Sequence, residues 1–261
     1  MTPAAGRPGV GGDHGEIPMR TAVLSDIHAN LEAFEAVLSH AKTREVDDYV
    51  SLGDVVGYGA SPNECIEILR SISCLSLLGN HDAAVLDIPI NMNQDGRKVI
   101  NWTREHLSRA SLAYLLQMED VIHRGKVSYC HSNPYRPRNW YYVSEKTYIT
   151  SSFARSKAKI LFVGHTHVPL AITRRNFFCV YLRSPEHATV VPIADRNRQI
   201  FNSGSIGQPR DGDPRASYLI YDSLNSRIEF YRISYNIGRA AEKILQAGLP
   251  EVFAQRLFSG L

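Results

Sequence analysis

Long apolar runs, paired cysteines and a one-sided charge are all missing from this chain, and each absence excludes something. No stretch approaches the roughly 20 apolar residues that a membrane-spanning helix needs. The first eighteen residues are rich in glycine and proline and lack the apolar segment of a secretory signal. Cys65, Cys74, Cys130 and Cys179 stand far apart with no CxxC pair, which argues against a disulfide framework or zinc knuckle and for a reducing, cytoplasmic setting. The net charge is only +3, and like charges gather in patches no longer than Arg155, Lys157 and Lys159. No strong nucleic-acid surface is expected, and those patches read as solvated surface.

What remains is an ordinary globular composition, 44% hydrophobic and 21% charged over 261 residues, enough for one large domain. Residues 1–18 are expected to be a disordered tail and 19–261 a single domain, with residues 83–126 inserted as a helical cap. Short, partly β-branched runs at 21–25, 48–52, 74–78, 127–130 and 159–163 read as buried strands. A helix is predicted over about 30–42, where Leu31, Phe34, Val37, Leu38 and Ala41 share one face, and a second from Pro62 through Ile66 and Leu69. Such alternation implies a largely parallel sheet joined by right-handed crossovers. After residue 168 come strand candidates at 177–182, 188–193, 217–222 and 227–233, which predict a second, mixed or antiparallel sheet packed on the first. A helix over 237–247 ends at Gly248, and Pro250 can start a last one. Within 83–126 a helical pattern runs through Ile100, Leu107, Tyr114 and Leu115, and Trp102 reads as core in preference to a base-stacking group.

Each early strand ends in a cluster of polar side chains. These are Asp26 with His28, then Asp54, then Asn80 with His81 and Asp82, then His131, then His165 with His167. In open sheets, ligands collect beyond the carboxyl ends of the strands, so distant clusters become neighbours there. Singly, Asp54 reads as a cap and Asn80 as a turn residue. Jointly, the carboxylates, imidazoles and amide suit borderline divalent metals. Asp26, His28, Asp54 and His167 would fill one site, and Asp54, Asn80, His131 and His165 the other. Two ions about 3.5–4 Å apart hold a bridging hydroxide and clamp the phosphoryl oxygens of an in-line displacement.

The motifs DxH, GD, GNHD, H and GHTH, in that order, resemble the calcineurin-like metallophosphoesterase superfamily. GDVVGYGASPNECIE, NSGSIGQPRDG and AAEKILQAGLPEVFAQRL resemble recurring segments of its bacterial and archaeal phosphodiesterase branch. The resemblance runs from about residue 19 to the C-terminus. It implies a four-layer αββα sandwich, an α+β or α/β fold of two mixed sheets flanked by helices. It also implies two divalent ions, manganese first with iron, nickel, cobalt and zinc open, held by Asp26, His28, Asp54, Asn80, His131, His165 and His167. His81 would stabilise or protonate the leaving oxygen, with Asp82 either supplying the carboxylate that keeps its imidazole charged or capping the next helix.

The implied activity is hydrolysis of phosphodiesters or nucleotide phosphoanhydrides. Alternatives are a dinucleoside polyphosphate hydrolase of the diadenosine tetraphosphate type, a Ser/Thr protein phosphatase, or a non-catalytic scaffold like the retromer subunit of this fold. Ser/Thr phosphatases of the superfamily have GDYVDRG and GNHE, and Gly57 and Tyr58 stand here in place of their second Asp and their Arg, which disfavours that alternative. Ser132 stands where the family usually has Gly, and Ser203 makes NSGS of the family's NPGS, but neither removes a ligand. Arg136, Arg138 and Arg210 are candidates for gripping a small phosphorylated substrate, and Trp140, Tyr141 and Tyr142 for stacking a base, against a packed loop with solvated arginines. The oligomeric state stays open.

Overall fold

The computed structural model describes residues 19–176 and 178–261, so the tail expected over 1–18 lies outside the described residues. In chain order the elements are β1 (Arg20–Leu24), α1 (Leu31–Thr43), β2 (Asp48–Ser51), α2 (Pro62–Ser71), β3 (Leu75–Ser76) and α3 (Asn80–Val85). Then come α4 (Gln94–His106), α5 (Arg109–Leu115), β4 (Val121–Arg124), β5 (Val127–Cys130), α6 (Lys146–Arg155) and β6 (Ile160–Val163). The second half holds β7 (Leu170–Arg175), β8 (Phe178–Arg183), β9 (Thr189–Pro192), β10 (Arg198–Asn202), β11 (Ala216–Asp222), β12 (Arg227–Ile233), α7 (Ile237–Gln246) and α8 (Glu251–Ser259).

Two six-stranded mixed sheets form, one in the order β3-β2-β1-β11-β12-β9 and the other β4-β5-β6-β10-β7-β8. Strands β1, β2 and β3 run parallel, as do β5, β6 and β10, and the remaining pairings are antiparallel. Side chains alternate across each strand, which explains the layering. Val23, Val50, Leu219 and Phe230 face Tyr129, Phe162 and Phe201 between the sheets. Ala22, Leu24, Tyr218 and Ile220 on the opposite face pack on Phe34, Val37 and Ile66 of α1 and α2. Leu161, Val163, Ile172 and Ile200 meet Ile149 and Phe153 of α6. The result is the αββα sandwich the resemblance implied.

One expectation is corrected. The first five predicted strands do not share a sheet, and the later ones do not build a separate one. Strands β1 to β3 open one sheet while β5 and β6 lie in the other, and the later strands complete both. The short apolar runs specify burial on two faces, which either sheet supplies, so they cannot say which sheet a strand joins. Strands β4, β7 and β10 were not anticipated, for VIHR, LAITRR and RQIFN carry polar residues at or near their ends. The helical pattern around Leu107 breaks in two. Leu107 is extended at ψ 133°, and the Ser108 side chain caps α5 by accepting the Ser111 N–H. Trp102 packs against the α7–α8 cluster and stacks on His106 at 4.1 Å, in keeping with a core role. Among the described residues no helix is long and apolar enough to cross a membrane.

Phe162 is fully buried between the sheets, with Tyr129 stacked on it at 5.2 Å and Phe201 and Tyr221 beside it. Phe162→Ala should lower the unfolding free energy by about 3–5 kcal/mol in urea titration. A loss below about 1 kcal/mol would mean that the sheets do not pack through this residue.

Candidate metal centre

Parallel strands from both sheets end at one edge of the sandwich, and the chain turns sharply there. Asp26 (φ 52°), His28 (φ 49°), Asp54 (φ 53°), His165 (φ 67°) and His167 (φ 58°) all adopt the left-handed conformation. For residues with a Cβ this conformation is costly, and clusters of it mark sites where side chains are aimed for function. The turns are stitched together by main-chain bonds. Asp26 N–H donates to Gly53 C=O (3.0 Å), His28 N–H to Asp54 C=O (3.0 Å), and Gly164 N–H to His131 C=O (2.8 Å). Two glycines make room. A Cβ on Gly79 would lie 2.1 Å from Asp54 Oδ1, and one on Gly57, at φ +89°, would lie 2.3 Å from His81 Nδ1.

Two groups of donors converge. Asp26, His28, Asp54 and His167 form one, and Asp54, His131 and His165 the other, with the ligand atoms of each within 4.8 Å of one another. Asn80 joins the second, its Oδ1 lying 3.2 Å from His131 Nε2. The structure therefore gathers all seven predicted donors in the two sets read from the sequence. Asp54 belongs to both, but through one oxygen. Its Oδ1 accepts the His81 N–H (2.8 Å), while Oδ2 lies 3.6 Å from His28 Nε2 and 3.4 Å from His131 Nε2.

The donors are held from behind. His28 Nδ1–H donates to Val56 C=O (3.1 Å), His131 Nδ1–H to Leu52 C=O (3.0 Å) and His167 Nδ1–H to Gln208 C=O (2.6 Å), while His165 Nε2–H donates to Trp140 C=O (2.8 Å). Each bond selects a tautomer and turns the other nitrogen inward, a lone pair whenever the ring is neutral. His28 Nε2 and His167 Nε2 then face each other at 3.2 Å, as do His131 Nε2 and His165 Nδ1. Asp26 Oδ2 is satisfied by Ser25 Oγ (2.6 Å) and His165 N–H (3.1 Å), yet buried Oδ1 lies 3.2 Å from His167 Nε2 without a hydrogen-bond donor among the described residues. Facing lone pairs in a buried pocket require cations between them, so these residues fit divalent metals.

The electrostatics agree. Burial would raise Asp26 and Asp54, but His167 beside the first and His131 beside the second hold both carboxyls below their usual range. Burial opposes a charge on His131, yet Asp54 and Asp26 raise it to about 9. His165 is driven by burial down to about 3, with His131 adding to the shift.

Of the two roles read for Asp82, its hydrogen bonds match the cap. Its Oδ1 accepts the N–H groups of Val55 (3.0 Å) and Val56 (3.1 Å), and its Oδ2 that of Gly79 (3.0 Å). It braces the turn after β2 and caps α3, the alternative role. Burial and Asp54 raise it to about 7. His81 Nδ1 has no partner among the described residues, and burial lowers this imidazole to about 4 despite Asp54. Its ring lies against Tyr58 at 4.4 Å, and Tyr58 rests on Phe253 of α8 at 4.7 Å.

Of the three predicted arginines, Arg210 stands at the cluster. It bonds Tyr58 Oη (3.2 Å) and Gln208 Oε1 (3.0 Å), on a loop clamped by the buried Asp211–Arg232 ion pair. Arg138 is instead paired with Asp120 at 2.9 Å on the surface, and Arg136 is exposed. Neither lines the cleft beside the donors. Sequence reasoning missed Ser25 and the four carbonyl anchors, because main-chain acceptors leave no residue-type signal.

A family model described as the calcineurin-like phosphoesterase superfamily domain matches residues 19–226. An uncharacterized protein of Methanocaldococcus jannaschii is 39% identical over 245 residues, covering 92% of this chain and 97% of its own. The crystal structure of a metallophosphoesterase from Sphaerobacter thermophilus is similar with TM-score 0.83 at 37% identity, covering 94% of this chain and 100% of that one. A hypothetical protein from Pyrococcus horikoshii shares the fold at TM-score 0.75 and 17% identity, covering 93% and 98%.

In the metal-free protein the folded pKa of His131, about 9, lies above its ordinary 6.5. Its contribution to stability is therefore complete below pH 6.5 and lost as pH rises through about 9. A divalent cation must displace that proton. Calorimetric titration with manganese near neutral pH should show release of about one proton per chain, and binding that tightens from about pH 7 to 9. Affinity independent of pH, with no proton released, would contradict the assignment of His131.

Proposed function

The chain belongs to the calcineurin-like phosphoesterase superfamily, and on that premise we propose that it is a two-metal phosphoesterase acting on phosphodiesters or nucleotide phosphoanhydrides. The observation that supports this reading most is the pair of donor groups sharing Asp54, with every imidazole oriented by a main-chain carbonyl. The two ions, with manganese as the first choice, supply Lewis acidity to the phosphoryl oxygens when bound.

The chain's own residues do the rest. His28, His131 and His167 would donate through Nε2, His165 through Nδ1 and Asn80 through Oδ1. Asp26 and Asp54 would offset the cations' charge, Asp54 being the donor common to both groups. His81, neutral in its buried setting, stands at the cleft wall and would give a hydrogen bond to the leaving oxygen. A bound phosphoryl anion raises that imidazole's pKa and so favours proton donation as charge develops. Arg210, half-buried beside Tyr58, would neutralise a phosphoryl oxygen. Gly57 and Tyr58, in place of the second Asp and the Arg of the protein phosphatases, weigh against phosphoproteins, and the complete donor set weighs against a non-catalytic scaffold. The four free cysteines, three of them buried, fit a reducing compartment such as the cytoplasm.

With manganese added, the protein should hydrolyse bis(p-nitrophenyl) phosphate, and chelation should abolish the activity. Asp54→Asn and His81→Ala should each lower kcat by about a hundredfold or more. Turnover indifferent to metal and to both substitutions would remove this reading.

A further inference from the structure

A cleft of about 380 Å³ opens beside the second donor group, with His81 and His165 on its inner side. Its remaining walls include Tyr58, Asn91, Met92, Asn93, Trp140 and Tyr142. No lysine, arginine, aspartate or glutamate is among the described residues that line it. The aromatic wall is tied to the donors, since His165 Nε2–H donates to Trp140 C=O at 2.8 Å. Tyr142 lies parallel to the His165 ring at 4.5 Å and 14°, yet remains 42% exposed. Trp140 Nε1 is a buried donor without an acceptor among the described residues. The segment Ile90–Asn93, between α3 and α4, adds two amides and a thioether to the lining, with Asn93 Oδ1 already accepting the Gly96 N–H (2.8 Å).

We propose that this cleft receives an uncharged, planar arm of the substrate, a nucleobase or similar heterocycle, and that the preferred substrate is a nucleoside phosphodiester in place of a polyphosphate. The inference rests on the phosphoesterase reading and narrows its substrate. Each π-face of a base finds an aromatic or thioether partner here, and its polar edge finds amides that both donate and accept. Further phosphates entering the same space would lose hydration with no lysine or arginine among the described lining residues to offset their charge.

Inhibition of bis(p-nitrophenyl) phosphate hydrolysis by the manganese-loaded full-length protein separates the possibilities. Adenosine 5′-monophosphate and ribose 5-phosphate differ only in the base. The first should inhibit about tenfold more tightly, the equivalent of about 1.4 kcal/mol of stacking. Tyr142→Ala, at a half-exposed position, should bring the two inhibition constants within about twofold of each other, and Met92→Ala, elsewhere in the lining, should also reduce their ratio. Adenylyl-adenosine should be cleaved faster than diadenosine tetraphosphate. Equal inhibition by the two monophosphates, an unchanged ratio in both variants, or preference for the tetraphosphate would overturn the cleft assignment and leave the phosphoesterase reading standing. No hydrolysis of the simple diester would overturn both.

Discussion

Everything at the working edge of this molecule depends on two buried carboxylates, Asp26 and Asp54, held charged among five imidazoles. Charges taken out of water are costly unless they are paired and hydrogen-bonded. One oxygen of each carboxylate is satisfied within the protein, Asp26 Oδ2 by Ser25 and His165 N–H, Asp54 Oδ1 by His81 N–H. The other oxygen of each faces inward, towards imidazole nitrogens whose opposite ring nitrogens are bonded to main-chain carbonyls. Only positive charge at the centre, protons or metal ions, relieves that arrangement. The elevated pKa of His131 is its expression in the absence of metal.

The sandwich exists in a form that can bear this cost. Five donors sit at positive φ, each at a cost on the order of 1 kcal/mol or more, which a large packed core tolerates. Phe162, Phe201, Phe230 and their neighbours bury the space between the sheets, and α1, α2 and α6 seal the outer faces. Rigid strands deliver the turns, the turns aim the donors, and main-chain carbonyls lock the rings. The Gly207–Gly212 loop, clamped by Asp211 and Arg232, adds the anchor for His167 and carries Arg210.

The donor set was readable from the sequence because strand ends and ligand chemistry coincide there. Asp26 with His28, and His165 with His167, sit on turns at the ends of apolar runs. Sheet membership was not readable, since ILFV and VSYC are apolar on both faces and fit either sheet. The role of Asp82 was undecided because a carboxylate three residues past Gly79 fits both a helix cap and a partner for His81. Geometry matches the cap, as the backbone N–H groups of Val55, Val56 and Gly79 all donate to Asp82. Arg136 and Arg138 looked equivalent to Arg210 in composition, and only tertiary placement separates them, Arg138 paired with Asp120, Arg136 exposed and Arg210 bonded to Tyr58 and Gln208.

Crystals soaked in manganese and measured at its absorption edge test the central claim most directly. Two anomalous peaks about 3.5–4 Å apart are predicted, both in contact with Asp54, one flanked by Asp26, His28 and His167 and the other by Asn80, His131 and His165. A single peak, or two ions that do not share Asp54, would contradict it.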